Sequence, residues 1–205
     1  MTEATVHLAV YDTLSDWEVG HVTAHINNPL WQKTPGRFTM RTVGAGTQPV
    51  TTMGGLRVTP DVTLADLRPQ DSAMLILPGS QISMTDAFSP FVAKAREFLD
   101  AGVPVAAVCG ATGALAVAGL LDNRAHTSNA REFLVGLGYG GAEHFRDEPA
   151  VTDGDLITAS GVAPVEFARA ILARLDVYGP SALASWYKLY RNQDPAGFAE
   201  LAALK

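Results

Sequence analysis

The sequence predicts an α/β fold, a doubly wound sandwich around a mostly parallel sheet. Three observations point there. Five short apolar runs recur along the 205 residues, with helix-like segments between them. Two of those runs, AMLIL at 73–77 and VPVAAVC at 103–109, are apolar at almost every position, as expected of strands covered on both faces. No repeat, low-complexity tract or linker-like shift in composition divides the chain, so residues 1–205 are expected to form one domain.

The elements follow in order. Residues 6–11 (VHLAVY) read as the first strand. Trp17, His21, Ala24 and His25 share one face of the helix behind it, which Asn27-Asn28-Pro29 ends. Residues 38–43 (FTMRTV) alternate with a period of two and form the next strand, and a hairpin is expected over 50–58 around Gly54-Gly55. Strand 73–77 precedes Ser89-Pro90, a cap with proline at the first helical position, and a helix over 91–101 that Gly102 closes. Strand 103–109 runs into residues 111–121, small and apolar on nearly every side and so a buried helix. Shorter helices are predicted over 130–137 and 165–175, with the last strand, 156–159, after the turn Asp153-Gly154-Asp155. Residues 181–205 read as one or two C-terminal helices broken near Asp194-Pro195.

Composition narrows the function classes. With 47% hydrophobic and 18% charged residues, the chain can bury a core without covalent staples. Its one cysteine excludes an intramolecular disulfide or a multi-thiolate zinc site and fits a reducing compartment. A net charge of −6 is not the electrostatic footprint of a nucleic-acid binder. No basic segment followed by an apolar stretch opens the chain, and no apolar run approaches the ~20 residues of a membrane span. The expectation is a cytoplasmic protein without membrane or nucleic-acid partners. Neither a HExxH motif, nor a P-loop, nor Cys/His ligand spacing occurs, so no metal or cofactor is expected. The glycines of 136–141 follow no apolar strand and read as a helix end and loop, not a dinucleotide fingerprint.

The candidate chemistry centres on Cys109. It ends an apolar strand and is followed by Gly110-Ala111-Thr112-Gly113, which opens a helix. A sharp strand-to-helix turn presents its side chain at the top of the sheet, as in a nucleophile elbow. There the helix N-terminus favours the thiolate and backbone N–H groups can hold an oxyanion. The competing reading is a buried cysteine acting as a small hydrophobe. Glu18 also has two readings. Ser15 and Glu18 have capping-box spacing, or Glu18 projects inward beside the thiol as a carboxyl of raised pKa. Gly79 and Ser80 leave strand 73–77 through Pro78, either as an ordinary strand exit or as backbone donors to a substrate oxygen. His126, in an expected short strand, and His144 are candidate bases or plain satisfied side chains.

Taken together these stretches resemble the ThiJ/PfpI family of the class I glutamine amidotransferase-like superfamily, most closely a bacterial stress-protein branch. The match lies in VHLAVYDTLSDWEVG at 6–20, AMLILPGS at 73–80, PVAAVCGATGALAVAGLLDNRAHTSN at 104–129 and VTDGDLITASGVAPVEF at 151–167. The resemblance implies a flavodoxin-like fold, a reactive Cys109, Glu18 hydrogen-bonded to it, and Gly79, Ser80 and Gly110 as the donors around an oxyanion. It also implies a homodimer. Three departures matter. Gly110 stands where protease-like members carry a histidine. His144 lacks a His-Pro-Glu context. Asn129 occupies the place where members acting on carbonyls carry a histidine, with His126 three positions earlier.

Two functions follow as expectations. One is a cysteine-dependent hydrolase, hydratase or glyoxalase/deglycase-like enzyme on a small-molecule carbonyl or amide. The other is a non-enzymatic redox or stress sensor using an oxidisable Cys109. A third possibility places function on a surface formed by Trp186, Tyr187, Leu189 and Tyr190, residues that can equally pack on the core.

Overall fold

The computed structural model describes residues 4–204. A seven-stranded sheet organises the chain. Its centre is β1 (Ala4–Ala9), β6 (Met74–Leu77) and β7 (Val105–Val108), parallel neighbours in that order. Beyond β1 lie β2 (Phe38–Gly44) and the edge strand β5 (Val62–Thr63), both parallel to their neighbours. Beyond β7 lie β9 (Leu156–Ala159), parallel, and β8 (Ala150–Asp153), antiparallel. This is the predicted α/β class, with helices on both faces. Every residue of β6 and β7 is buried, which is why these runs carry no polar alternation.

Helices α1 (Asp16–Asn27), α5 (Pro164–Arg174), α6 (Pro180–Arg191) and α7 (Ala196–Ala203) pack as one layer. The other layer holds α2 (Ser89–Asp100), α3 (Gly110–Val117) and α4 (Arg131–Val135). Prolines stand in the first turn of α2, α5 and α6, where a missing N–H costs nothing. The C-terminal break falls at Asp194–Pro195, as predicted.

The predicted hairpin is the separate antiparallel pair β3 (Val50–Thr51) and β4 (Arg57–Val58). It is fastened to the loop after β1. Thr13 N–H donates to the Thr51 carbonyl at 2.8 Å and Met53 N–H to that of Leu14 at 2.9 Å. Thr51 N–H donates to Asp12 at 2.8 Å and Gly54 N–H to Asp16 at 2.6 Å.

Several expectations change. The two edge strands β5 and β8 carry no clear sequence signal: one has two residues, and the other has four that run into the turn at Asp153. Helix α3 stops at Val117, not Leu121, because Gly119 turns the chain with φ 75°. Around His126 there is only an isolated bridge to Phe145. Trp186 is fully buried, and Tyr187, Leu189 and Tyr190 are partly buried against the core. Among the described residues, no helix is long and apolar enough to cross a membrane.

Candidate functional site

The carboxyl ends of β1, β6 and β7 meet where the chain changes direction along the sheet. That is the crevice in which open α/β sheets place their sites. Cys109 follows β7 and immediately precedes α3, with φ 58° and ψ −126°, a conformation that costs an L-residue strain energy. Neighbours hold it there. Its N–H donates to the Ala159 carbonyl at 3.1 Å, and its own carbonyl accepts from Thr112 Oγ1 at 2.6 Å. The small residues after it are packing requirements. A Cβ on Gly110 would lie 2.9 Å from Ser83 Cβ, and one on Gly113 would lie 2.7 Å from the Phe133 ring.

Glu18 lies in the first turn of α1 and is fully buried. The capping box is not formed: Ser15 is the N-cap residue but makes no side-chain cap. Instead Gly79 N–H donates to Glu18 Oε2 at 2.6 Å. The Tyr11 hydroxyl donates to the Pro78 carbonyl and fixes that loop. Glu18 Oε1 is buried without a hydrogen-bond partner. A Cβ placed on Gly79 would meet both Cys109 Sγ and Glu18 Oε1 at 3.0 Å; one on Gly161 would meet them at 2.7 and 3.0 Å. Thiol and carboxyl therefore line one narrow gap with backbone on two sides. Gly161 carried no signal of its own in the sequence. Only its contact with a residue 52 positions away reveals why a side chain is excluded there.

Burial pushes the Glu18 carboxyl up, opposed by the Gly79 bond. Burial also pushes the Cys109 thiol up, aided by the Glu18 charge and opposed by Asn129. The Gly110 N–H at the start of α3 also opposes the rise.

Asn129 reaches the thiol directly. Its Nδ2–H donates to Sγ at 3.2 Å, while its Oδ1 accepts from Gly161 N–H at 2.8 Å, which fixes the amide's orientation. The Gly161 carbonyl accepts from Trp17 Nε1–H at 2.9 Å. The backbone donors need partial correction. Gly79 N–H is committed to Glu18, and Ser80 N–H donates to Ser83 Oγ at 2.9 Å. Gly110 N–H faces the thiol.

The histidines lie elsewhere. His126 is fully buried, with Nδ1 2.7 Å from the Arg124 carbonyl and Nε2 2.9 Å from the Tyr139 hydroxyl. A carbonyl only accepts, so Nδ1 carries the proton and Nε2 accepts from tyrosine. Burial lowers its pKa, leaving a neutral brace rather than a base. His144 is paired with exposed Glu143 at 3.5 Å. Beyond Asn129 opens a cavity of about 570 Å³ whose walls include Ser160, Val162, Glu166 and Arg191. Among the described residues, no group of three or more His, Cys, Asp or Glu side chains is arranged to hold a metal ion.

A mostly parallel α/β sandwich with a cysteine at a strained strand-to-helix turn and a buried glutamate beside it defines a recognisable class. The chain belongs to the DJ-1/PfpI family, whose profile matches residues 4–174. It is 40% identical to the thiJ/pfpI family protein of Bacillus anthracis, with a TM-score of 0.91 over 98% of this chain and 97% of that one. It is likewise 40% identical to the "Uncharacterized protease YoaZ" of Bacillus subtilis (strain 168), covering 98% of this chain and 97% of that protein. The DJ-1 superfamily protein Atu0886 of Agrobacterium tumefaciens is 33% identical, with a TM-score of 0.82 over 93% of this chain and 100% of that one.

Proposed function

We propose that this protein is a cysteine-dependent enzyme acting on a small reactive carbonyl, with an α-oxoaldehyde as the favoured substrate class. One observation carries the reading. The Cys109 thiol shares a gap with a buried glutamate oxygen that has no other hydrogen-bond partner.

As Sγ bonds to the aldehyde carbon, the C=O π bond opens. The thiol proton passes to Glu18, and the former carbonyl oxygen takes a proton from it, giving a hemithioacetal. Asn129 Nδ2–H steadies the sulfur as its charge develops, and Gly110 N–H is the backbone donor left for the oxygen. Glu18 then takes the proton from the former aldehyde carbon to give an enediol-like intermediate. The hydroxyl proton passes to the neighbouring carbonyl oxygen, the C=O re-forms at the sulfur-bearing carbon, and Glu18 returns its proton to the neighbouring carbon. The resulting thioester is cleaved by water, which frees the thiol and a 2-hydroxy acid. The net change is addition of one water, without an oxidant or reductant.

The relatives' protease names favour a hydrolase in the broad sense. Amide cleavage, however, also needs an acid for the leaving amine, and no histidine contacts this thiol. An aldehyde accepts a neutral thiol and has no leaving group. The alternative reading, a redox sensor, requires oxidation of Cys109 through its thiolate.

The test is turnover of methylglyoxal, and of simple amides, by the parent and Cys109→Ser. Loss of methylglyoxal turnover in the variant supports the reading. Equal turnover by both proteins removes it.

A further inference from the structure

We infer that Trp17 is a positioning residue of the thiol site, acting through Gly161 and Asn129. This rests on Cys109 being the reactive group, as proposed above. Trp17 is 51% exposed, so burial of its ring does not explain its placement. Its single polar atom is spent on a partner 144 residues away, the Gly161 carbonyl, at 2.9 Å.

Gly161 needs such a restraint. A side chain there would strike Sγ at 2.7 Å, so the position must be glycine, and glycine brings the loosest backbone of any residue. Two bonds hold it. Trp17 takes its carbonyl, and Asn129 Oδ1 takes its N–H at 2.8 Å. The second bond also aims Asn129, because with Oδ1 committed to Gly161 the Nδ2–H must face the sulfur, at 3.2 Å.

Three hydrogen bonds in series thus run from the indole to the thiol. The residue after Trp17 is Glu18, which borders the same thiol. The first turn of α1 therefore addresses Cys109 on two sides, directly through the carboxyl and indirectly through the indole. Asp16, one position earlier, ties this turn to the hairpin through Gly54 N–H at 2.6 Å, so the register of the turn is itself fixed.

The test is the pH dependence of Cys109 alkylation by iodoacetamide in the parent, Trp17→Phe, Asn129→Ala and the double variant. Phenylalanine keeps a ring and removes only the N–H. The expected result is an upward shift of the thiol's apparent pKa by roughly half to one unit in Trp17→Phe, read as about three- to tenfold slower alkylation at a fixed pH below it. Asn129→Ala should shift at least as far, and the double variant no further than Asn129→Ala alone. Trp17→Tyr, larger but also without the indole N–H, should reproduce the phenylalanine profile. A parental profile in either folded Trp17 variant overturns the inference, as does a Trp17 effect that adds fully to that of Asn129→Ala. Alkylation needs no turnover, so an enzyme inactive on methylglyoxal leaves this test standing, and an unshifted profile leaves the proposed reaction standing.

Discussion

The first turn of α1 and the helix face that follows it both carry ionisable groups into apolar surroundings, to opposite effect. On the second face the rings of His21 and His25 stack, their centroids 6.5 Å apart and their planes within 6°. Trp186 meets both rings edge-on at 88°, and His25 Nδ1 lies 2.9 Å from the Tyr178 hydroxyl. Burial lowers both histidines, His25 to about 4, so at neutral pH they are uncharged rings in an aromatic core. At the first turn, Glu18 and Cys109 are also shifted by burial, but one carboxyl oxygen has no partner and the cysteine sits on a strained backbone. Shifted pKa values are thus common to both regions. An unpartnered acceptor beside a nucleophile belongs to only one, and that is what separates a site from a core.

Glycines break this comparison most sharply. Gly161→Ala sets a methyl 2.7 Å from Sγ, so turnover should fall at least about 100-fold, the cost of displacing reacting groups by an ångström. Gly20, further along α1, has nothing within 4 Å of its would-be Cβ. Gly20→Ala should leave turnover intact and raise stability by up to ~1 kcal/mol through helix propensity. Methylglyoxal kinetics and urea unfolding of the two variants decide this. Equal activity in both would mean the gap at the thiol is wider and softer than the contacts imply.

Acid sharpens the comparison from the other side. The folded pKa of His25 is depressed to about 4 from an ordinary 6.5. Its contribution is therefore fully present above pH 6.5 and is lost as pH falls towards 4, because the unfolded chain takes up the proton first. Between pH 7 and 5 the loss is of order 2 kcal/mol. His25→Asn should be less stable at pH 7 yet lose less on acidification, as measured by urea unfolding at both pH values. His7, also lowered to about 4 by burial, adds the same slope to both proteins and cancels in the difference.

How far the sequence carries depends on whether a signal is local. The apolar strands, the proline after Ser89 and the glycines after Cys109 are short-range features, and each predicted its element. Glu18 was ambiguous because Ser15-x-x-Glu18 satisfies a capping box and a site equally well. The decision came from Gly79, 61 residues away. Gly161 had no reading, and Trp17 was legible only as part of the helix face it shares with His21 and His25, although its ring is half exposed; the meaning of both lies in a chain of contacts from α1 through two loops. The helix N-terminus behind Cys109 is visible in sequence, whereas the burial that pushes the thiol up is not.

The smallest predicted effect isolates the strain. At φ 58° and ψ −126°, Cys109 occupies a region that glycine enters freely and other residues enter at a cost of about 1–3 kcal/mol. Cys109→Ala deletes the thiol and keeps a Cβ in that conformation; Cys109→Gly deletes both. Glycine also loosens the unfolded chain, which costs roughly 0.5–1 kcal/mol. The strain relieved is the larger quantity, so Cys109→Gly should be more stable than Cys109→Ala by about 1 kcal/mol, and both should be inactive. Urea unfolding of the pair measures the difference. If alanine is the more stable, the turn holds Cys109 without strain, and the contrast with the histidine face, where the buried Trp186 Nε1–H is also unpartnered, rests on the Glu18 acceptor lying beside a nucleophile.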